Sequence, residues 1–358
     1  MPLFRAWAWR IATADAKDSL RRNRMTGLLD RVFDATDVMS IHSWLPLCLR
    51  LRRALNFSKG KMMKNQIQTL GWWMRRTVGR AMVDVAPFYT EVIGLPLVRA
   101  YGDFLILVWA GEDLIFEVKT DDPAHREQSD PATAACIPVL RSHDLAATRA
   151  RMASFGYHPV TEEMSEWGRT LFYLGPDALI IGFEERSDNS PHQADREALA
   201  SWRAGPPVLG ALPPLPAGLH YLSRVIRRVA DVASVASFYR DTMGLEDRGY
   251  EGASVIFSLG DAVTLEVAPG GVSQPIPGDR EELPDSYILR IHDFDGVMAG
   301  LVARGTTFNG ELIVWEGTTY LRYLQDPEGH LTGIEERRPN HDYLEDIAAE
   351  QRWAARQA

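Results

Sequence analysis

The feature that most constrains the fold of this chain is an internal repeat. Four short segments recur in the same order, at separations of 150, 149, 149 and 151 residues. They are FYTEVIGL from Phe88 and FYRDTMGL from Phe238, LIFEV from Leu114 and VTLEV from Val263, LRSHDL from Leu140 and LRIHDF from Leu289, and GFEER from Gly182 and GIEER from Gly333. Self-similarity at a nearly constant spacing indicates a tandem duplication.

Each copy contains a smaller unit that occurs twice. Residues 219–270 hold the strand-like run LHYLSRVIRRV, a helix that Asp231 can cap and Gly244 can end, and three short strands. Residues 284–338 repeat this order, from SYILRIHD to HLTGIEER. We therefore predict an α+β fold of four βαβββ units.

These units predict two tandem domains, each a curled mixed sheet made from two paired βαβββ units. The first domain covers residues 68–187 and the second residues 219–338. Residues 188–218 end in AGPPVLGALPPLPAG, which cannot continue a helix or a central strand, and are predicted to be a linker. Residues 339–358 are predicted to form a helical tail.

The charge distribution sets residues 1–67 apart as a basic extension. They hold 13 Lys and Arg against 5 Asp and no Glu, a net charge of +8, so the rest of the chain carries −17 of the total of −9. An acidic body argues against nucleic-acid binding. Three alternatives stay open for the extension: a helical or disordered arm with no catalytic part, an amphipathic surface-binding arm, or translation that begins at Met62 or Met63. We expect residues 1–60 to pack little against the domains.

Other sequence features exclude several classes of protein. No run of 18 apolar residues exists, so no membrane span is expected. Cys48 and Cys136 cannot form a disulfide framework or a CxxC motif, and they fit a reducing cytoplasm. Phosphate-binding glycine loops, Ser-His-Asp spacings and zinc motifs are also missing from the sequence.

The repeated motifs resemble those of the vicinal oxygen chelate superfamily, which includes glyoxalase I, type I extradiol dioxygenases and bleomycin- and fosfomycin-resistance proteins. The resemblance rests on FYRDTMGL and DPEGHLTGIEER and covers about residues 68–338. Two domains of paired units look most like a type I extradiol dioxygenase. That likeness implies that the second domain carries the site and that the first is a scaffold.

The resemblance also implies a divalent metal held by His and carboxylate side chains on the first and fourth strands of the units. The positions are Arg224, Glu266, Ser286 and Gly333 in the second domain, and the vicinity of Met74, Glu117, Ile137 and Gly182 in the first. An extradiol triad needs His, His and Glu where Arg224, Ser286 and Gly333 stand. A guanidinium offers only donors and glycine has no side chain, so we predict no metal site and no other cofactor.

Arg224 and Glu266 are the main candidate site residues. Adjacent strands place facing side chains about 5 Å apart at their Cβ atoms, so the two are predicted to meet. They either fill space as an ion pair or act on a substrate, with Arg224 holding an anion and Glu266 as general base. Glu117 is expected to lack a matching arginine.

Aromatic residues complete the predicted ligand cup. Tyr323 stands where extradiol enzymes carry a tyrosine that donates to a bound oxygen, and it is the third candidate catalytic residue. Tyr287, Trp315 and Phe257 are candidate substrate-binding residues that would suit an aromatic ligand. Core packing is the alternative for all four.

The sequence leaves three functions open. The first is a metal-independent lyase, isomerase or hydrolase acting on a small oxygenated or aromatic compound. The second is a non-catalytic protein that binds such a compound, and the third is a divergent metal-dependent dioxygenase. Arg224 and Glu266 would be free in the first and locked together in the second. The expected partner is a small molecule, and the sequence also leaves a homodimer open.

Overall fold

The computed structural model describes residues 69–112, 114–120, 130–205, 209–216, 218–260, 263–271, 285–315 and 319–337, and residues 347, 351 and 354. All of them belong to one compact unit, residues 65–358. The basic extension, with its alternatives, and most of the predicted tail lie outside the described residues. None of the described helices is long and apolar enough to cross a membrane.

The described residues form four βαβββ modules, with one extra helix between the second and the third. Module 1 comprises β1 (Thr69–Val78), α1 (Met82–Pro87), β2 (Leu97–Tyr101), β3 (Leu105–Trp109) and β4 (Ile115–Thr120). Module 2 comprises β5 (Cys136–Ser142), α2 (Leu145–Ser154), β6 (Thr161–Ser165), β7 (Gly168–Leu174) and β8 (Ile180–Arg186), and α3 (Gln193–Ala204) follows it.

The second half of the chain repeats the order. Module 3 comprises β9 (Leu219–Val229), α4 (Val232–Ser237), β10 (Asp247–Glu251), β11 (Ser254–Gly260) and β12 (Val263–Pro269). Module 4 comprises β13 (Asp285–Ile291), α5 (Phe294–Ala303), β14 (Phe308–Trp315), β15 (Thr319–Gln325) and β16 (Leu331–Arg337).

The helix that carries each FY motif starts and stops as local chemistry requires. In module 3, Asp231 accepts a hydrogen bond from the Ser234 amide at 3.0 Å and caps α4. The helix continues as a π-helical segment, Phe238–Met243. This segment ends at Gly244, which has a φ of 78°. This left-handed conformation favours glycine, so both predicted helix boundaries are confirmed.

The modules build two eight-stranded mixed sheets within the described part of the chain, and the predicted fold class is confirmed. Sheet I has the order β14-β15-β16-β13-β1-β4-β3-β2, and sheet II has the order β10-β11-β12-β9-β5-β8-β7-β6. Sheet I therefore joins modules 1 and 4, and sheet II joins modules 2 and 3. The antiparallel pairs β1–β13 and β5–β9 make these joins.

This pairing differs from the expected one. Consecutive modules were predicted to share a sheet within residues 68–187 and within residues 219–338, but each sheet takes one module from each half. The difference arises from which first strands pair with each other. β1 and β9 each pair with a strand from the other half, and no local sequence signal distinguishes that partner from the nearer one.

One face of each sheet packs into a shared core with the helices. Met74 and Val78 of sheet I and Val225 and Val229 of sheet II belong to the same buried cluster, which also includes side chains from the helices. The opposite faces carry two smaller apolar clusters, one on each sheet. We name these opposite faces cup I, on sheet I, and cup II, on sheet II.

The segment predicted to be a linker is partly structured. Helix α3 lies in residues 188–218, before the proline-rich run. Its Asp195 is buried and accepts hydrogen bonds from Arg141 at 2.8 Å and Arg186 at 3.1 Å, both on sheet II. This segment therefore helps to form the rim of cup II.

Candidate functional site

An arginine lies between two carboxylates in cup II. Nη1 of Arg224, on β9, is 2.5 Å from Oε2 of Glu266, on β12. Nη2 of Arg224 is 2.9 Å from Oε2 of Glu184, on β8, and donates to Thr170 Oγ1 at 3.1 Å. The side chain of Arg224 is only 12% exposed, so its charge is balanced by protein groups more than by water.

The electrostatics of this cluster stabilise the charged forms. Burial lowers the pKa of Arg224, but Glu184 and Glu266 outweigh it and hold the pKa above its ordinary value. Burial raises the pKa of Glu184, and the charges of Arg224, Arg141 and Arg186 more than reverse this and lower it. Arg224 and Glu184 are therefore both ionised at neutral pH.

Cup I holds a similar pair. Nε of Arg75, on β1, donates to Oε1 of Glu117, on β4, at 2.7 Å, and Nη1 of Arg75 also contacts the Tyr323 hydroxyl. The arginine of this pair is Arg75, the neighbour of Met74, and the expectation that Glu117 lacks a matching arginine is wrong. Met74 is fully buried in the shared core, because side chains alternate between the faces of a strand.

The structure does not bring the other predicted site residues together with Arg224 and Glu266. Tyr323 lies in cup I, on the other sheet. Tyr287 and Phe257 are fully buried in the shared core, where the Tyr287 hydroxyl donates to the Tyr239 hydroxyl at 2.5 Å. Trp315 ends β14 and is 59% exposed. The predicted single cup assumed that modules 3 and 4 share a sheet, so it combined residues from two sheets.

The expected metal positions do not suit a metal. A Cβ atom built on Gly333 would lie 2.8 Å from Ile288 Cγ1, and one built on Gly182 would lie 2.9 Å from Val139 Cγ2. Neither position has room for a side chain, so neither can supply a carboxylate. Among the described residues, no three His, Cys, Asp or Glu side chains are grouped so that they could hold a metal ion.

Cup II opens into a cavity of about 400 Å³. Its lining includes Arg224 and Glu266 at the base and Trp167, Tyr250 and Met164 on the walls. The second oxygen of Glu266, Oε1, has no hydrogen-bond partner among the described residues. The cavity therefore combines a carboxylate oxygen with aromatic walls.

A second set of site residues escaped the sequence argument. Arg186 donates to Glu251 through Nη1 at 2.8 Å and Nη2 at 2.7 Å, which ties β8 to β10 across the cup. Burial raises the pKa of Glu251, but its hydrogen bonds from Arg186 and the nearby charges lower it overall. The repeated GFEER segment contained Glu184 and Arg186, but nothing local showed that they face module 3.

The comparisons with known proteins support the fold. A candidate dioxygenase from Bacillus subtilis superposes with a TM-score of 0.53 at 16% identity, over 81% of this chain and 95% of that one. Glyoxalase I from Zea mays superposes with a TM-score of 0.51 at 14% identity, over 75% and 92% of the two chains. No family model matches the sequence, and no curated protein matches it. The chain therefore has the two-domain glyoxalase/dioxygenase-like fold.

Proposed function

We propose that cup II binds a small oxygenated or aromatic compound. The cavity of about 400 Å³ carries this proposal, because it joins aromatic walls at Trp167 and Tyr250 to polar groups at Arg224 and Glu266. Small-molecule sites commonly combine an apolar lining with a few fixed polar groups in a cavity of this size.

Binding without turnover is the function that the geometry favours. A free Arg224 and Glu266 would indicate an enzyme, and a locked pair would indicate a binding protein. Arg224 is held by Glu266, Glu184 and Thr170, so both of its Nη atoms are engaged within the protein. It therefore has little capacity left to grip a substrate through those atoms.

A metal-independent lyase, isomerase or hydrolase is the second candidate. The observation that favours it is Oε1 of Glu266, which has no partner among the described residues on a side chain that lines the cavity. A carboxylate in this position can accept a proton from a bound compound as a general base. Tyr323, in cup I, has no part in this scheme.

A metal-dependent dioxygenase is disfavoured by the residues themselves. Arginine stands at the first-strand position of each cup, and the fourth-strand glycines, Gly182 and Gly333, have no room for a ligand side chain. We expect metal analysis of the purified full chain to find far less than one equivalent of iron, manganese or zinc. Stoichiometric iron together with oxygen uptake in the presence of catechols would contradict this.

A ligand screen tests the binding proposal. Small aromatic and oxygenated compounds are screened by ligand-observed NMR against the full chain, and bound compounds are then incubated with it and followed by mass spectrometry. Trp167→Ala should weaken binding, since it removes a cavity wall, and the exposed Trp315→Ala should not. Turnover that Glu266→Gln abolishes would establish the enzyme. Binding that is equal in both tryptophan variants would place the ligand elsewhere.

The cytoplasmic location and the homodimer stay predictions. Cell fractionation tests the first, and the molar mass of the full chain in solution tests the second.

A further inference from the structure

A second cavity adjoins the first one in cup II. It measures about 270 Å³, and the two share Arg186, His192, Arg224 and Glu251 as lining residues. The Arg186–Glu251 ion pair therefore borders both cavities. The two cavities meet at this ion pair.

The second cavity is lined by more guanidinium groups than carboxylates. Its lining includes five guanidinium groups and three carboxylates, from Arg141, Arg186, Arg196, Arg224, Arg248, Glu184, Asp195 and Glu251. Two of these arginines also contact carboxylates outside the lining, Arg224 with Glu266 and Arg248 with the exposed Glu246. Arginine pairs well with carboxylates and phosphates, because its planar N–H groups match their oxygens.

The three carboxylates are already engaged by other arginines. Glu184 lies 3.1 Å from Arg141 and 2.9 Å from Arg224. Asp195 bonds to Arg141 and Arg186, and Glu251 bonds to Arg186. These contacts balance the charges of the three carboxylates. None of them involves Arg196 or Arg248, the remaining two arginines of the lining.

Arg248 has donors without acceptors. Its Nη2 lies 3.2 Å from Ser258 Oγ and 3.2 Å from Glu246, whose side chain is 66% exposed. Nε and Nη1 of Arg248 are buried and have no partner among the described residues. A buried donor without an acceptor costs roughly 1–3 kcal/mol, so a rotamer change of Arg248 that brings these donors to an acceptor in the cavity would be favourable. Nε of Arg224 and Nε of Arg141 are in the same situation.

We propose that the ligand of cup II is an organic anion, a carboxylate or a phosphate ester, and that Arg248 binds its anionic group. This inference rests on the proposed function, because it identifies the class of compound that the same cup binds. The anionic group would occupy the second cavity beside Arg248. The rest of the ligand would lie in the first cavity, against Trp167 and Tyr250.

Calorimetric titration of the full chain with benzoate, benzamide and inorganic phosphate tests the proposal. Benzamide has the shape of benzoate without its charge. Benzoate or phosphate should bind at least tenfold more tightly than benzamide, and the tighter of the two anions identifies the preferred group. Arg248→Gln should remove this preference, and Arg248→Lys should restore part of it. Arg99→Gln, on the corresponding strand β2 of sheet I, should leave it unchanged.

Two results in which a probe binds would overturn the inference. One is equal binding of benzoate and benzamide, which leaves cup II as a small-molecule site without a preference for anions. The other is an anion preference that survives in Arg248→Gln. Failure of both anions to bind while benzamide binds has the same meaning as the first result. Failure of all three probes overturns the inference, whereas the proposed function is judged separately by the ligand screen.

Discussion

Cups I and II are copies of one structure that have diverged around a common ion pair. Arg75 and Arg224 are 149 residues apart in the sequence, as are Glu117 and Glu266. In each cup the arginine comes from the first strand of a module and the glutamate from the fourth. The guanidinium contacts the glutamate at 2.7 Å in cup I and at 2.5 Å in cup II.

The surroundings of the two pairs differ. In cup I the arginine contacts the Tyr323 hydroxyl, and a second buried carboxylate, Glu335, lies 2.7 Å from the Arg337 guanidinium, which also stacks 3.9 Å from the centre of the Trp73 ring. In cup II a second carboxylate, Glu184, lies against the arginine, and helix α3 adds Asp195. Cup II is therefore a dense charge network bordered by two cavities.

The comparison shows which features are common to both cups and which occur in cup II. A buried guanidinium beside a carboxylate occurs in both cups, so the pair alone does not define a ligand site. What distinguishes cup II is the direct contact of Glu184 with the arginine, the carboxylate that helix α3 adds, and the two cavities around them.

The largest expected effect comes from removing the arginines. Arg224→Met leaves Glu184 and Glu266 without their shared cation in a buried site, and breaking a buried ion pair costs about 3–5 kcal/mol. Arg75→Met should cost less, because it leaves one carboxylate in contact, Glu117, without its cation, where Arg224→Met leaves two. Urea denaturation of both variants measures the two free energies of unfolding.

A double variant sharpens this test. Arg224→Met combined with Glu266→Gln should recover part of the lost stability, because it removes one of the two uncompensated charges. Equal losses for Arg224→Met and Arg75→Met would show that the contact of Glu184 with Arg224 does not make cup II different.

The next effect concerns the fourth-strand glycines, where the cups should behave alike. Gly182→Ala and Gly333→Ala place a methyl group 2.9 Å from Val139 and 2.8 Å from Ile288, and such overpacking typically costs about 1–3 kcal/mol. Thermal denaturation measures each loss. Combining Gly182→Ala with Val139→Ala should give less than additive destabilisation, since the obstructing side chain is shortened. Full additivity would contradict the steric explanation.

The features that depend on local sequence pattern were predicted from the sequence. The repeat identified four modules, the cap at Asp231 and the stop at Gly244 followed from residue chemistry, and strand alternation placed Arg224 and Glu266 on one face. Counting seven residues back from the helix cap gave Arg224 in module 3. In module 1 the same count gave Met74, but Arg75 stands six residues before its N-cap, Ala81. The loop between strand and helix differs by one residue, and one residue changes the face.

The module pairing and the second half of the site could not be predicted in this way. Glu184 reaches Arg224 only because β5 pairs with β9, a contact between strands about 85 residues apart. The repeated motifs also bond across sheets: Tyr89 of one FY motif donates to Asp177 of module 2 at 2.5 Å, and Tyr239 of the other donates to Asp326 of module 4 at 3.3 Å. These contacts join modules that do not share a sheet, so motif adjacency does not reveal sheet adjacency.

The acid sensitivity of cup II gives a smaller effect. The pKa of Glu251 lies below its ordinary value of 4.5 in the folded protein, so this carboxylate stabilises the fold above pH 4.5 and the contribution is lost as the pH falls through the lowered pKa. Glu251→Gln should therefore cost about 1–2 kcal/mol at pH 6, within the range of a charged hydrogen-bonded pair.

The measurement is urea denaturation of the wild type and of Glu251→Gln between pH 6 and pH 3. The difference between their free energies of unfolding should shrink as the pH falls. Glu311→Gln, at an exposed position of β14, serves as the control and should show no such trend. A difference that stays constant across this range would contradict the linkage to the Glu251 carboxylate.

The smallest expected change in stability comes from Tyr323, the residue that contacts Arg75 in cup I. Tyr323 pairs in register with Gly333, and Phe172 of cup II pairs in register with Gly182, so Tyr323→Phe gives cup I the residue found in cup II. The variant keeps the ring and loses only the hydroxyl contact with Arg75, which should cost about 1 kcal/mol. Thermal denaturation compares this variant with the reciprocal one, Phe172→Tyr. There a hydroxyl enters the apolar cluster of cup II, which should destabilise the protein more.

Benzoate binding should be unchanged in Tyr323→Phe. A loss of binding there would show that the ligand site lies in cup I and would reverse the assignment of the two cups.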